Sequence, residues 1–107
     1  MENPDNSRML LELDVKIQQA NRDMMNTNIP EVNLDSLSPL IAMVARARSD
    51  YLSGIFEVAG ECASSDTLPE QSRIQDLAGL RATYEELLAG ARALEVAVER
   101  GYVDVHG

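Results

Sequence analysis

Residues 38–64 read SPLIAMVARARSDYLSGIFEVAGECAS. Wound as an α-helix at about 100° per residue, this stretch is apolar over more than half its circumference. One face carries Ile41, Val44, Ala45, Leu52, Ile55, Ala59 and Cys62, and an adjoining face carries Leu40, Met43, Ala47, Tyr51 and Val58. Arg46, Ser49, Asp50, Ser53, Glu57 and Glu61 form the polar strip. A surface helix needs one apolar stripe, so two faces predict neighbours on two sides. Arg48 breaks the pattern from the middle of the first face.

The flanking sequence supplies two further helices. In the first, over about 4–25, Asn3 is placed to cap, Pro4 suits the first turn and Asp5 complements the helix dipole. Its apolar residues Leu10, Leu13, Ile17, Ala20 and Met24 recur at 3-4-3-4 spacing, as in a short coiled coil, with Leu11 and Val15 off the seam. Pro30 blocks continuation, and Ile29, Val32, Leu34 and Leu37 predict a link that lies extended against the bundle, the alternative being a segment that a partner captures. Ser38 as cap and Pro39 at the first position set the middle helix at about 39–63. Thr67 and Glu70 match a capping box that opens the third, over about 68–100. There Leu77, Leu80, Tyr84, Leu87, Ala91, Leu94 and Val98 repeat at 3-4-3-4-3-4 spacing, and Arg100-Gly101 marks the end. The tail 102–107 either packs back, pairs with residues 32–34 or stays disordered.

These readings combine into one all-α domain over 1–107, an antiparallel up-down-up three-helix bundle. The third helix is predicted to outrun the others by roughly 10 Å. Its Leu94–Val98 end then needs cover from the link, the tail or a second chain, which together with the surplus face of the middle helix points to a dimer.

Composition narrows the function. The 107 residues hold 18 acidic and 9 basic side chains, a net charge of −9. This disfavours nucleic acid, which is bound through Lys and Arg, and equally an anionic membrane surface. No stretch approaches the roughly 18 apolar residues of a membrane span, and residues 1–10 lack the basic and apolar regions of a signal peptide. One cysteine, Cys62, rules out an internal disulfide framework, so a cytoplasmic address is expected.

No chemistry stands out. One histidine, His106, and one cysteine give no metal-ligand spacing, and the inward Glu-x-x-His pairs of di-iron bundles are missing. Nucleophile-elbow, phosphate-loop and EF-hand patterns are likewise missing. No enzyme activity, cofactor or metal is expected.

The polar arrangement that remains surrounds Arg48. In helical hairpins it comes level with Asp14 on one side and Tyr84 on the other, so Arg48, Asp14 and Tyr84 are expected to form a buried polar cluster, which is structural or marks a recognition groove. Glu95 is a second polar intrusion, on the stripe of the third helix, and is expected to be solvated. The sequence therefore predicts a non-enzymatic interaction module, an adaptor, regulator or assembly component, whose partner is a protein or a second copy. Its surface is expected at Leu40, Met43, Ala47, Tyr51, Val58, Leu94 and Val98. The alternative is an export or assembly chaperone that shields an apolar or basic segment of a client.

Overall fold

A computed structural model describes residues 4–29 and 31–106. Asn3 and Pro30, which the sequence assigns to helix capping and helix blocking, lie outside them. The protein is all-helical, with α1 at Pro4–Asn28, α2 at Leu34–Cys62 and α3 at Gln71–Glu99. Among the described residues there is no strand, only an isolated parallel bridge between Val32 and Val105. The chain divides into two compact units, Leu37–Ala93 and Met1–Ser36 with Leu94–Gly107.

In the first of these units α2 and α3 pack as an antiparallel pair. Partners fall in number on α3 as they climb on α2: Arg48 meets Tyr84, Gly54 meets Leu80 and Leu77, and Glu61 meets Arg73. The α2 seam is Leu40, Val44, Ala47, Tyr51, Gly54, Val58 and Cys62, all buried or half-buried, at 4-3-4-3-4-4 spacing. It meets half-buried Leu77, Leu80, Tyr84, Leu87 and Ala91 of α3. Matched seams of this period are the basis of coiled-coil-like helix packing. Small residues bring the helices close. A methyl group placed on Gly54 would sit 3.0 Å from Leu80 Cδ1 and 3.1 Å from Leu77 Cδ2. At the loop end, Arg73 donates from Nη2 to Glu61 Oε1 at 2.8 Å and from Nε to Oε2 at 3.1 Å, and it also pairs with Asp76 at 3.3 Å. Its guanidinium is held above its ordinary pKa, first by the hydrogen bond to Glu61 and then by attraction to that carboxylate, with desolvation acting the other way.

In the other unit, the last turn of α3 and the tail pack with α1 and the link. Val32, Ala97, Tyr102 and Val103 are its buried residues. The Val32 amide donates to the Asp104 carbonyl and the His106 amide to the Val32 carbonyl, at 3.0 and 2.9 Å. From α1, Gln18 Nε2 donates to the Arg100 carbonyl, and Arg22 donates to the Gly101 carbonyl and pairs with Asp104 at 2.9 Å. Only the start of the link is extended, where Val32 pairs with the tail as one of the outcomes the sequence left open. Leu34 and Leu37, expected to lie extended against the bundle, fall in the first turn of α2, and Leu34 is exposed. Helix α3 closes with a Schellman turn, in which the Tyr102 amide reaches the Ala97 carbonyl and the Gly101 amide that of Val98. Gly101 takes φ +72°, which a residue with a Cβ adopts only at a penalty.

Two helix starts differ from the sequence reading. Helix α2 begins at Leu34, so Pro39 sits inside it and Ser38 is not its cap. Asn33 caps instead: its Oδ1 accepts the Ser36 amide at 2.8 Å, and its own amide donates to Ser36 Oγ at 3.0 Å. This reciprocal box satisfies two orphan amides where Ser38 alone would satisfy one, although Pro39 inside the helix gives up a backbone hydrogen bond and crowds the carbonyl four residues before it. Helix α3 begins after Glu70, whose carbonyl accepts from Arg73 and Ile74, while the Thr67 hydroxyl bonds Ser65. With 29 residues in each of α2 and α3, the third helix does not outrun α2.

Candidate functional site

The candidate site is the side of α2 that adjoins its α3 seam, centred roughly 110° around the helix from it. Ile41, Ala45, Arg48, Leu52, Phe56 and Ala59 fall within about 80° of arc at 100° per residue, and all six are exposed. Phe56 is 79% exposed and Ile41 61%. Ala45, Arg48, Ser49, Leu52, Ser53 and Phe56 line a shallow concavity along this side.

This arrangement reverses the expected roles of the two faces of α2. Ala47 and Val58, assigned to an interaction surface, are buried, and Leu40 and Tyr51 are half-buried, because they form the α3 seam. Met43 alone of that group on α2 is exposed. The face assigned to internal packing keeps Val44 buried but leaves Ile41, Leu52 and Ile55 in solvent. Leu94 and Val98 are half-buried in the other unit, beside buried Ala97.

Arg48 and Tyr84 are brought together. Arg48 Nε donates to Tyr84 Oη at 3.0 Å, and Cζ lies 5.4 Å from the ring centroid. The short bond to the hydroxyl is the stronger of these contacts, since the guanidinium sits far from the ring centre. Tyr51 stacks on Tyr84, with centroids 6.4 Å apart and planes 28° apart. The cluster is not buried: Arg48 is exposed and Tyr84 half-buried. Desolvating a guanidinium is expensive, and at the hairpin's edge Arg48 stays exposed while its Nε bonds Tyr84. Asp14 belongs to the other unit, where it is exposed and attracts Arg100. The Arg100 guanidinium is raised above its ordinary pKa, first by its hydrogen bond with Tyr102 and more weakly by Asp14 and Glu99. Glu95 is exposed.

Phe56 is the residue sequence reasoning missed. The signal was present: the 4-3-4-3-4-4 seam through Ala47 and Gly54 is the face that matches α3, and Phe56 lies well off it.

Among the described residues, no group of three His, Cys, Asp or Glu side chains is placed to hold a metal ion. No helix among them is long and apolar enough to cross a membrane. Compared with protein-family models, with curated proteins and with solved structures, the chain matches none.

Proposed function

We propose that this protein is a non-enzymatic interaction module that binds another protein, or a second copy of itself, through exposed apolar helix faces. The observation that carries this reading is the strip Ile41, Leu52 and Phe56 on α2, standing in solvent beside the α3 seam. Single exposed apolar residues are ordinary on protein surfaces, whereas an aligned row is characteristic of a contact surface. Helix-in-groove recognition uses side chains at this spacing as anchors. Arg48, in the middle of the row, adds one cation that selects for a carboxylate opposite it. In this reading the helices follow an up-down-up course, the working assembly is a dimer, and the protein acts in the cytoplasm without cofactor, nucleic acid or membrane.

The test is affinity capture with the full chain as bait, beside the variant Leu52→Asp/Phe56→Asp. Both positions are exposed, so the variant keeps its helical circular dichroism. A protein recovered stoichiometrically with the parent chain and lost with the variant is the expected result. Identical recovery with both baits would overturn the assignment of the strip.

A further inference from the structure

We infer that the apolar stripe of α1 is the seam of a homodimer, in which α1 pairs antiparallel with α1 of a second copy. The inference rests on the reading of exposed apolar helix faces as interaction surfaces, and names the partner for one of them. The stripe is Leu10, Leu13, Ile17, Ala20 and Met24, and its large residues are between 43% (Ile17) and 65% (Met24) exposed. Within its own unit α1 uses a different side. Asn21 and Met25 are half-buried, and Gln18 and Arg22 bond the Arg100–Asp104 segment. The stripe is centred roughly 110° around the helix from that side. A two-helix seam needs such a 3-4 row, and this one has no partner in its own unit.

Charge complementarity identifies the occupant. Lys16 and Asp23 flank the stripe on its free side, one heptad apart, and neither has an ion-pair partner among the described residues. In an antiparallel pair, residues on this flank face the same flank of the partner helix. One register sets Ile17 against Ala20 of the second copy and Leu13 against its Met24. It also places Lys16 beside Asp23 of the second copy, and the two-fold axis repeats that pair. Sliding one heptad in one direction sets Lys16 against Lys16 and Asp14 against Asp14. Sliding in the other sets Asp23 against Asp23 and leaves Leu10 and Leu13 without partners. A parallel pair leaves Lys16 facing Asn21. Opposite charges therefore select one antiparallel register, and the second copy supplies the apolar row and both charges.

Sedimentation equilibrium of the full chain across the micromolar range tests the inference, with circular dichroism to verify that each variant stays helical. The parent chain is expected to be a dimer. Ile17→Glu is expected to raise Kd at least about a hundredfold by placing a charge in the seam. Lys16→Glu and Asp23→Lys are each expected to raise it about tenfold, because two attractive pairs become repulsive. The double variant Lys16→Glu/Asp23→Lys restores the parent affinity, and Phe56→Glu on α2 leaves it unchanged. A strictly monomeric parent chain, a double variant no better than the singles, or dissociation by Phe56→Glu instead of Ile17→Glu would each overturn it. A monomer that still captures a protein through Leu52 and Phe56 would remove the homodimer and leave the interaction module standing.

Discussion

Arg48 shows how a single polar residue in an apolar row is read by its surroundings. Its Nε bonds Tyr84 Oη at 3.0 Å, yet the side chain is exposed, so water still solvates the guanidinium. An exposed cation beside an aromatic ring contributes about 0.5–1 kcal/mol. Removing one member of a buried charged pair would cost about 3–5 kcal/mol. Arg48→Met keeps the apolar stem and removes the charge. It is expected to lower the free energy of unfolding in urea by no more than about 1 kcal/mol. A loss several times larger would mean that Arg48 is desolvated. Sequence spacing brought Arg48 level with Tyr84 because a short loop fixes the register of two antiparallel helices. It could not give the depth of the site, since depth depends on whether a third element covers it, and no local pattern states that.

At the scale of the helix, the packing of α2 on α3 turns on small residues. Gly54 faces the methyl groups of Leu80 and Leu77, whereas Gly90 has nothing within 4 Å of where a Cβ would stand. In an open helix position Gly→Ala gains about 0.5–1 kcal/mol from reduced backbone entropy. Gly90→Ala is expected to realise that gain, and with it a rise in Tm. At Gly54 the added methyl must displace two leucine methyls at 3.0 and 3.1 Å, and overpacking of this kind costs about 1–3 kcal/mol. Gly54→Ala is therefore expected to be less stable than Gly90→Ala by at least about 1 kcal/mol in thermal or urea unfolding, and equal stability would contradict the close approach of the two helices. The same geometry explains which parts of the fold were legible. The α3 seam was plain because Leu77, Leu80, Tyr84 and Leu87 are bulky and regularly spaced. The α2 seam was hidden because both of its adjoining faces are apolar, and the pattern does not say which of them meets α3. Where two backbones approach closely, Ala47 and Gly54 fill the interface, and the bulkier Ile41, Leu52 and Phe56 are left outside. The start of α2 was hidden for another reason: Pro39 reads as a first-turn residue, and the better cap, Asn33 with Ser36, lies just before it.

At the scale of the whole chain, the buried residues among those described are few and sit in two groups. Val44, Ala47 and Val58 belong to the α2–α3 unit, and Val32, Ala97, Tyr102 and Val103 to the other. Each group is closed by contacts of its own, the Glu61–Arg73 pair in one and the Val32–Val105 bridge in the other. The α2–α3 hairpin thus holds its own seam, its own loop and an ion pair that closes its end. A fragment spanning residues 33–93 keeps all three and also keeps the Asn33 cap. It is expected to remain helical by circular dichroism and to melt cooperatively, with the low stability usual for a chain of this size. A fragment spanning 37–93 loses Asn33 and Ser36 and with them the reciprocal hydrogen bonds, which should lower its stability by about 1 kcal/mol. A coil spectrum for residues 33–93 would show that the hairpin depends on the rest of the chain, and equal stability of the two fragments would show that α2 does not draw on its cap. Since Ile41, Leu52 and Phe56 all lie in this fragment, a folded 33–93 also carries the whole exposed strip, and it is expected to compete with the full chain for any protein that the strip captures.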